Sequence, residues 1–177
     1  MMSPRNLPTL AALLLSSLLC LGQEVTISRG IGTVALSVTA QKPYALMSGE
    51  EKSPTLTVEC AHKGKKTGHV LSFTAGSALA EGTDMDAKGA QLILNMTVGG
   101  TKQKTGWVPY GDTITYAYFA KSDVDRVKFI QSMLDSGRVS IEFKPFLTGK
   151  PTTSVFDVSK VREEMDKSPE CAVIPTK

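Results

Sequence analysis

Gln91-Leu92-Ile93-Leu94-Asn95-Met96-Thr97-Val98, then Gly99-Gly100, then Thr101-Lys102-Gln103-Lys104-Thr105-Gly106-Trp107-Val108 is the stretch that decides the fold class. Leu92, Leu94 and Met96 recur at every second residue, the period of a pleated strand with one apolar face. A core-facing helix would instead repeat its apolar residues three and four positions apart. The Gly-Gly pair between the two runs suits the mirror-image hairpin turns, whose central residues need positive φ. The segment therefore reads as an antiparallel hairpin whose return strand carries the chain's single tryptophan.

The same period extends outward in both directions. Upstream, Val34, Leu36 and Val38 share one face of an early strand. Leu56 and Val58 alternate within Thr55–Cys60, which places Cys60 on the same apolar face. The basic run His62-Lys63-Gly64-Lys65-Lys66 turns the chain, and His69–Thr74 returns with Val70, Leu71 and Phe73. The residues from Gly76 to Gly89 are small, polar and glycine-punctuated, and read as a long loop. Downstream, Pro109-Tyr110-Gly111-Asp112 reads as a turn and Thr113–Phe119 as a strand.

Then the period changes. Ser122 is a good N-cap, Asp123 and Asp125 suit the positive end of a helix, and Val124, Val127, Ile130 and Leu134 fall at helical spacing. Gly137 suits the left-handed residue that closes such a helix. Arg138–Phe146 alternates again through Val139, Ile141 and Phe143. Leu147–Pro151 is a turn, Thr153–Val158 a last strand, and Ser159–Lys167 a short amphipathic helix leading to Cys171. Strands do not alternate with helices, so a parallel α/β sheet is not expected. The expectation is a mainly β chain, an antiparallel β-sandwich or rolled sheet with one or two short covering helices.

Residues 1–22 have the three parts of a secretory leader: Arg5, an apolar run from Leu10 to Leu21, and small residues at Cys20 and Gly22. The apolar run is shorter than the roughly 20 residues that span a bilayer. A lipid anchor on Cys20 is the competing reading, and the bulk of Leu19 counts against it. The expected organisation is a signal peptide over 1–22, one β-rich domain over 23–171 and a tail over 172–177, in a periplasmic or secreted protein. Export leaves two cysteines, Cys60 and Cys171, which are expected to pair in an oxidising compartment, within one chain or between two. Closure within the chain, over a loop of roughly 110 residues, would contribute about 4 to 5 kcal/mol on the loop-entropy model.

The formal net charge of +3 falls by one when Arg5 leaves with the leader. Such a balance does not suit a nucleic-acid binder, which needs a denser basic stripe. The Lys63, Lys65 and Lys66 cluster reads as a solvated hairpin tip or as a contact for an anionic surface. His62 and His69 are the only histidines, and no Gly-x-Ser-x-Gly elbow occurs. A metal site on the two histidines would need further ligands from elsewhere. Glu81, Asp84 and Asp86 lack the later acidic ligand of a calcium loop. Asn95-Met96-Thr97 matches a glycosylation sequon but sits within a strand. No catalytic, metal or cofactor residues are expected, so the chain reads as non-enzymatic. Trp107, Tyr110 and Tyr116 offer an aromatic face for a partner, with ordinary sheet packing as the alternative.

The run Thr55–Cys60, Trp107, the helix with Phe129, Ile130 and Leu134, then Arg138-Val139-Ser140-Ile141, Lys144-Pro145-Phe146, Thr152–Ser159 and Cys171 together resemble the VasI/TagO-like accessory proteins of type VI secretion. The resemblance covers roughly Pro54 to Cys171. Two departures stand out: Ala172-Val173 replaces the expected Gly or Trp, and Val161 falls where a Gly-Leu pair is expected. The resemblance implies an accessory domain that contacts another protein or the cell envelope. An envelope small-ligand or glycan carrier is the alternative, and it predicts a concave pocket lined with aromatics.

Overall fold

The two-residue alternation becomes strands almost wherever it occurs. The computed structural model describes residues 23–63, 66–79, 91–146, 148 and 150–172. In chain order these form β1 (Val25–Gly30), β2 (Thr33–Thr39), β3 (Tyr44–Ala45), β4 (Glu51–Lys52), β5 (Thr55–Lys63), β6 (Lys66–Thr74), β7 (Leu92–Val98), β8 (Thr101–Tyr110) and β9 (Asp112–Tyr118). Then come α1 (Asp123–Asp135), β10 (Arg138–Phe143), β11 (Thr152–Asp157), α2 (Ser159–Lys167) and a 3₁₀ turn, Pro169–Cys171. The leader, the Gly64-Lys65 turn, residues 80–90 with Glu81, Asp84 and Asp86, and the tail from Val173 lie outside the described residues.

Among the described residues nine strands form one antiparallel sheet in the order β1-β2-β5-β6-β9-β8-β7-β10-β11, with β3 and β4 as a separate small pair. Gly99 (φ 54°) and Gly100 (φ 82°) make the expected turn, and β7 pairs β8 from Val98↔Thr101 to Leu92↔Trp107. The edge strand β1 is an element that sequence reasoning passed over, because Thr26, Ser28 and Arg29 dilute its apolar signal.

The sheet is rolled. Phe73 on β6 meets Phe143 on β10 with ring centroids 5.1 Å apart, and Phe156 on β11 at 6.3 Å. These strands stand four and five places away in sheet order, which would be about 19 to 24 Å in a flat sheet at ~4.8 Å per strand. The inner faces of the two halves therefore pack on each other around one core. Val34, Leu36, Leu56, Val58, Leu71, Phe73, Met96, Trp107, Ile141 and Phe156 are all fully enclosed in it. Burying such side chains stabilises by about 1.5 to 3 kcal/mol each. The roll brings β11 beside the end of β2, where the Gln41 N–H donates to the Val155 carbonyl at 2.9 Å.

Ser122 caps α1 as expected, its Oγ accepting from the Asp125 N–H at 3.1 Å, and Gly137 follows with φ 67°. The helix buries Ile130, Met133 and Leu134. Val124 is 61 % exposed, so it does not belong to the buried stripe that spacing suggested. Its turn, with Asp123 and Asp125, faces solvent. α2 buries Val161 and Met165, one helical turn apart, and Arg162 ties it to Asp135 of α1 at 3.2 Å.

Candidate interaction surface

The Cys60 and Cys171 sulfurs form a disulfide within the chain, with Cα atoms 5.1 Å apart. The alternation that put Cys60 on the Leu56/Val58 face also buries it, and Cys171 is enclosed with it. The bridge joins β5 to the final 3₁₀ turn, and a set of polar contacts reinforces the junction. Thr67 Oγ1 donates to the Ala172 carbonyl at 3.1 Å, and His62 Nδ1 lies 3.3 Å from the Glu170 carbonyl. Arg29 reaches across from β1 to Glu170 and to Ser168 Oγ, at 3.5 and 3.4 Å.

His69 belongs to this junction, which the sequence did not reveal. The register pairs Cys60 with His69 and His62 with Thr67, so the two histidines are not cross-strand partners. His62 is exposed, whereas His69 is only 3 % exposed, which corrects the expectation of two exposed hairpin histidines. The His69 Nε2–H donates to the Cys171 carbonyl at 3.3 Å, while its Nδ1 is buried without a hydrogen-bond partner. Burial lowers the His69 pKa below its ordinary value, the Cys171 carbonyl partly restores it, and the Arg126 charge lowers it again. The imidazole is therefore held neutral. Among the described residues no group of three His, Cys, Asp or Glu side chains is placed to hold a metal ion.

The aromatic face expected from Trp107, Tyr110 and Tyr116 is corrected by burial. Trp107 is fully enclosed; its Nε1–H donates to Thr105 Oγ1 at 2.8 Å, and its ring meets Phe73 and Tyr118 edge-on. Tyr116 is buried on the same inner face, and its hydroxyl accepts from the Leu79 N–H at 3.4 Å. Only Tyr110, at the β8–β9 turn, is exposed. Both buried rings occupy inward positions because β8 and β9 pair through Trp107↔Tyr118 and Pro109↔Tyr116. Lys63 and Lys66 form the last pair of the β5–β6 ladder, and Lys65 lies outside the described residues.

Two surface features were not singled out from the sequence. One is an open recess of about 720 Å³ on the outer side of β7, β8 and β9, lined among others by Ile93, Lys104, Gly106, Phe119, Lys121 and Asp125. Gly106 is needed there, since a Cβ would stand 2.7 Å from Gln91 Oε1. Phe119 is 45 % exposed beside it. The other is the β1 edge. From Thr26 to Gly30 every residue is exposed, and among the described residues β1 pairs with β2 alone. No helix of the described residues is long and apolar enough to cross a membrane. Comparison of the chain with protein-family models, curated proteins and solved structures finds no match.

Proposed function

We propose that this chain is an exported, non-enzymatic binding domain that works by contact with a partner protein at the cell envelope. Its recognition element is the β1 edge, which takes up an extended partner segment as an added strand. The single observation that carries this reading is the open edge itself: a strand exposed along its length and paired on one side. An edge of this kind presents a row of backbone donors and acceptors to a second chain. The buried Cys60–Cys171 bridge supports residence in an oxidising compartment, periplasmic or extracellular. The resemblance to VasI/TagO-like accessory proteins extends the proposal to a place beside a secretion apparatus.

The alternative, a small-ligand or glycan carrier, draws support from the recess where Phe119 stands beside Lys104 and Lys121. The two readings separate in one experiment. A partner captured from envelope extract is bound to the bridged protein, and amide exchange is compared in the free and bound states. Slowed exchange at Val25–Gly30 is the expected result. Protection confined to Ile93, Gly106 and Phe119 would favour the carrier, and no change at β1 would overturn strand addition.

A further inference from the structure

Two hairpin tips lie side by side at one end of the sheet. The first is Ile31-Gly32, the two-residue connection between β1 and β2, where Gly32 has φ 67°. The second is the β5–β6 tip, closed by the Lys63↔Lys66 pair. Thr33 pairs with Ala61, and the His62 N–H donates to the Gly32 carbonyl at 2.7 Å, so the tips are adjacent.

Ile31 is the observation that asks for an explanation. It is 104 % exposed, more than any other large apolar residue among those described. A two-residue hairpin connection favours Gly, Asn or Asp, and a β-branched residue disfavours such a turn. The side chain packs against nothing, so the fold gains nothing from it. An isolated exposed apolar residue is ordinary by itself. Here it projects beside a charged neighbourhood of one sign. Arg29, Lys63 and Lys66 lie on the adjoining strand ends, and the acidic Glu170 is already engaged by Arg29.

We propose that this end docks on an anionic lipid bilayer, with Ile31 entering the boundary between head groups and acyl chains and the basic turn at head-group level. A bilayer fits better than a protein groove. One residue on a narrow tip offers far less than the ~800 Å² per partner of a stable protein interface. Peripheral membrane contact needs only a modest apolar insertion joined to basic charge. The surface is distinct from the β1 edge, and its test does not depend on strand addition.

The experiment is co-sedimentation of the bridged protein with vesicles of phosphatidylcholine and phosphatidylglycerol, against vesicles of phosphatidylcholine alone. Binding to the anionic vesicles, weakened by salt, is expected. Ile31→Asn should lower the affinity about tenfold, and Lys63→Gln with Lys66→Gln about 25-fold. Both variants should melt at or above the parent temperature, because Asn suits the turn and the lysines repel across the ladder. No binding, equal binding to both vesicles, or an Ile31→Asn protein that binds like the parent would each overturn the proposal. Loss of vesicle binding without change in amide protection at β1 would separate this surface from the partner site.

Discussion

The two edge strands of the sheet, β1 and β11, are built from similar numbers of residues and end in opposite conditions. β11 buries Ser154 and Phe156, and Val155 accepts a hydrogen bond from Gln41. Gln23 Oε1 takes the Asp157 N–H, and α2 follows directly after one residue. β1 leaves all but Val25 exposed and is held mainly at its ends, by the contact of Gln23 Nε2 with the Thr39 carbonyl and by Arg29 on the final turn. Rolling the sheet covers one edge and leaves the other presented. A natural sheet normally blunts an exposed edge, so an edge left open along five residues is best read as a place of use.

The largest test of that contrast is Phe156→Ala on β11 against Ile27→Ala on β1. The first removes an enclosed ring and should lower stability by about 3 to 5 kcal/mol. The second touches a side chain already 40 % exposed and should remain below about 1 kcal/mol. Urea unfolding of the two variants checks this, and equal losses would mean that β1 is as well packed as β11.

Next in size is the bridge. Replacing Cys60 and Cys171 together with Ser should destabilise by about 2 to 5 kcal/mol. It should also loosen the final turn and with it the Arg29 anchor of β1. If amide exchange in β1 stays unchanged while stability falls, the clamp and the edge are energetically separate.

The pH dependence is smaller and has a definite sign. Burial places the folded pKa of His69 below its ordinary 6.5, so just below that value the unfolded chain binds more protons than the folded one. The contribution of neutral His69 is complete above the unfolded pKa and is lost as pH falls from there toward the folded value. Arg126 on α1 adds to the effect, and the Cys171 carbonyl opposes it. Urea midpoints between about pH 5 and 8 should therefore decline on the acid side. His69→Gln should flatten that decline, and an unchanged slope would assign it to His62 or the carboxylates.

The smallest effect belongs to Arg29→Ala. Its ion pair with Glu170 is half-exposed at the arginine, and such pairs contribute about 0 to 1 kcal/mol. The expected signature is faster amide exchange at the Gly30 end of β1 with a nearly unchanged unfolding midpoint. A large fall in the midpoint would show that β1 is held by this contact after all.

Much of this was legible in local sequence. Leu94, Met96 and Val98 alternate into the core as their spacing demanded, Gly99-Gly100 turns the chain, and Ser122 and Gly137 bound the helix. Cys60 falls on the buried face for the same reason as Leu56 and Val58. The surface was far less legible. Trp107, Tyr110 and Tyr116 look alike in sequence, and two of them are core. His62 and His69 look alike too, and only one is enclosed. Alternation tells which residues share a face, not which face the rest of the chain will cover.

The sequence by itself determined the strands, the turns, the main helix and the pair of cysteines, because each depends on residues a few positions apart or on simple chemistry. Tertiary structure alone decided the strand order, the roll that brings Phe73 against Phe143 and Phe156, the burial of His69 behind Cys171, and the exposure of β1 and Ile31. Those outcomes depend on contacts between residues distant in the chain. Local periodicity is the same whether a face meets a partner strand, a helix or solvent, so only the closed fold could distinguish them.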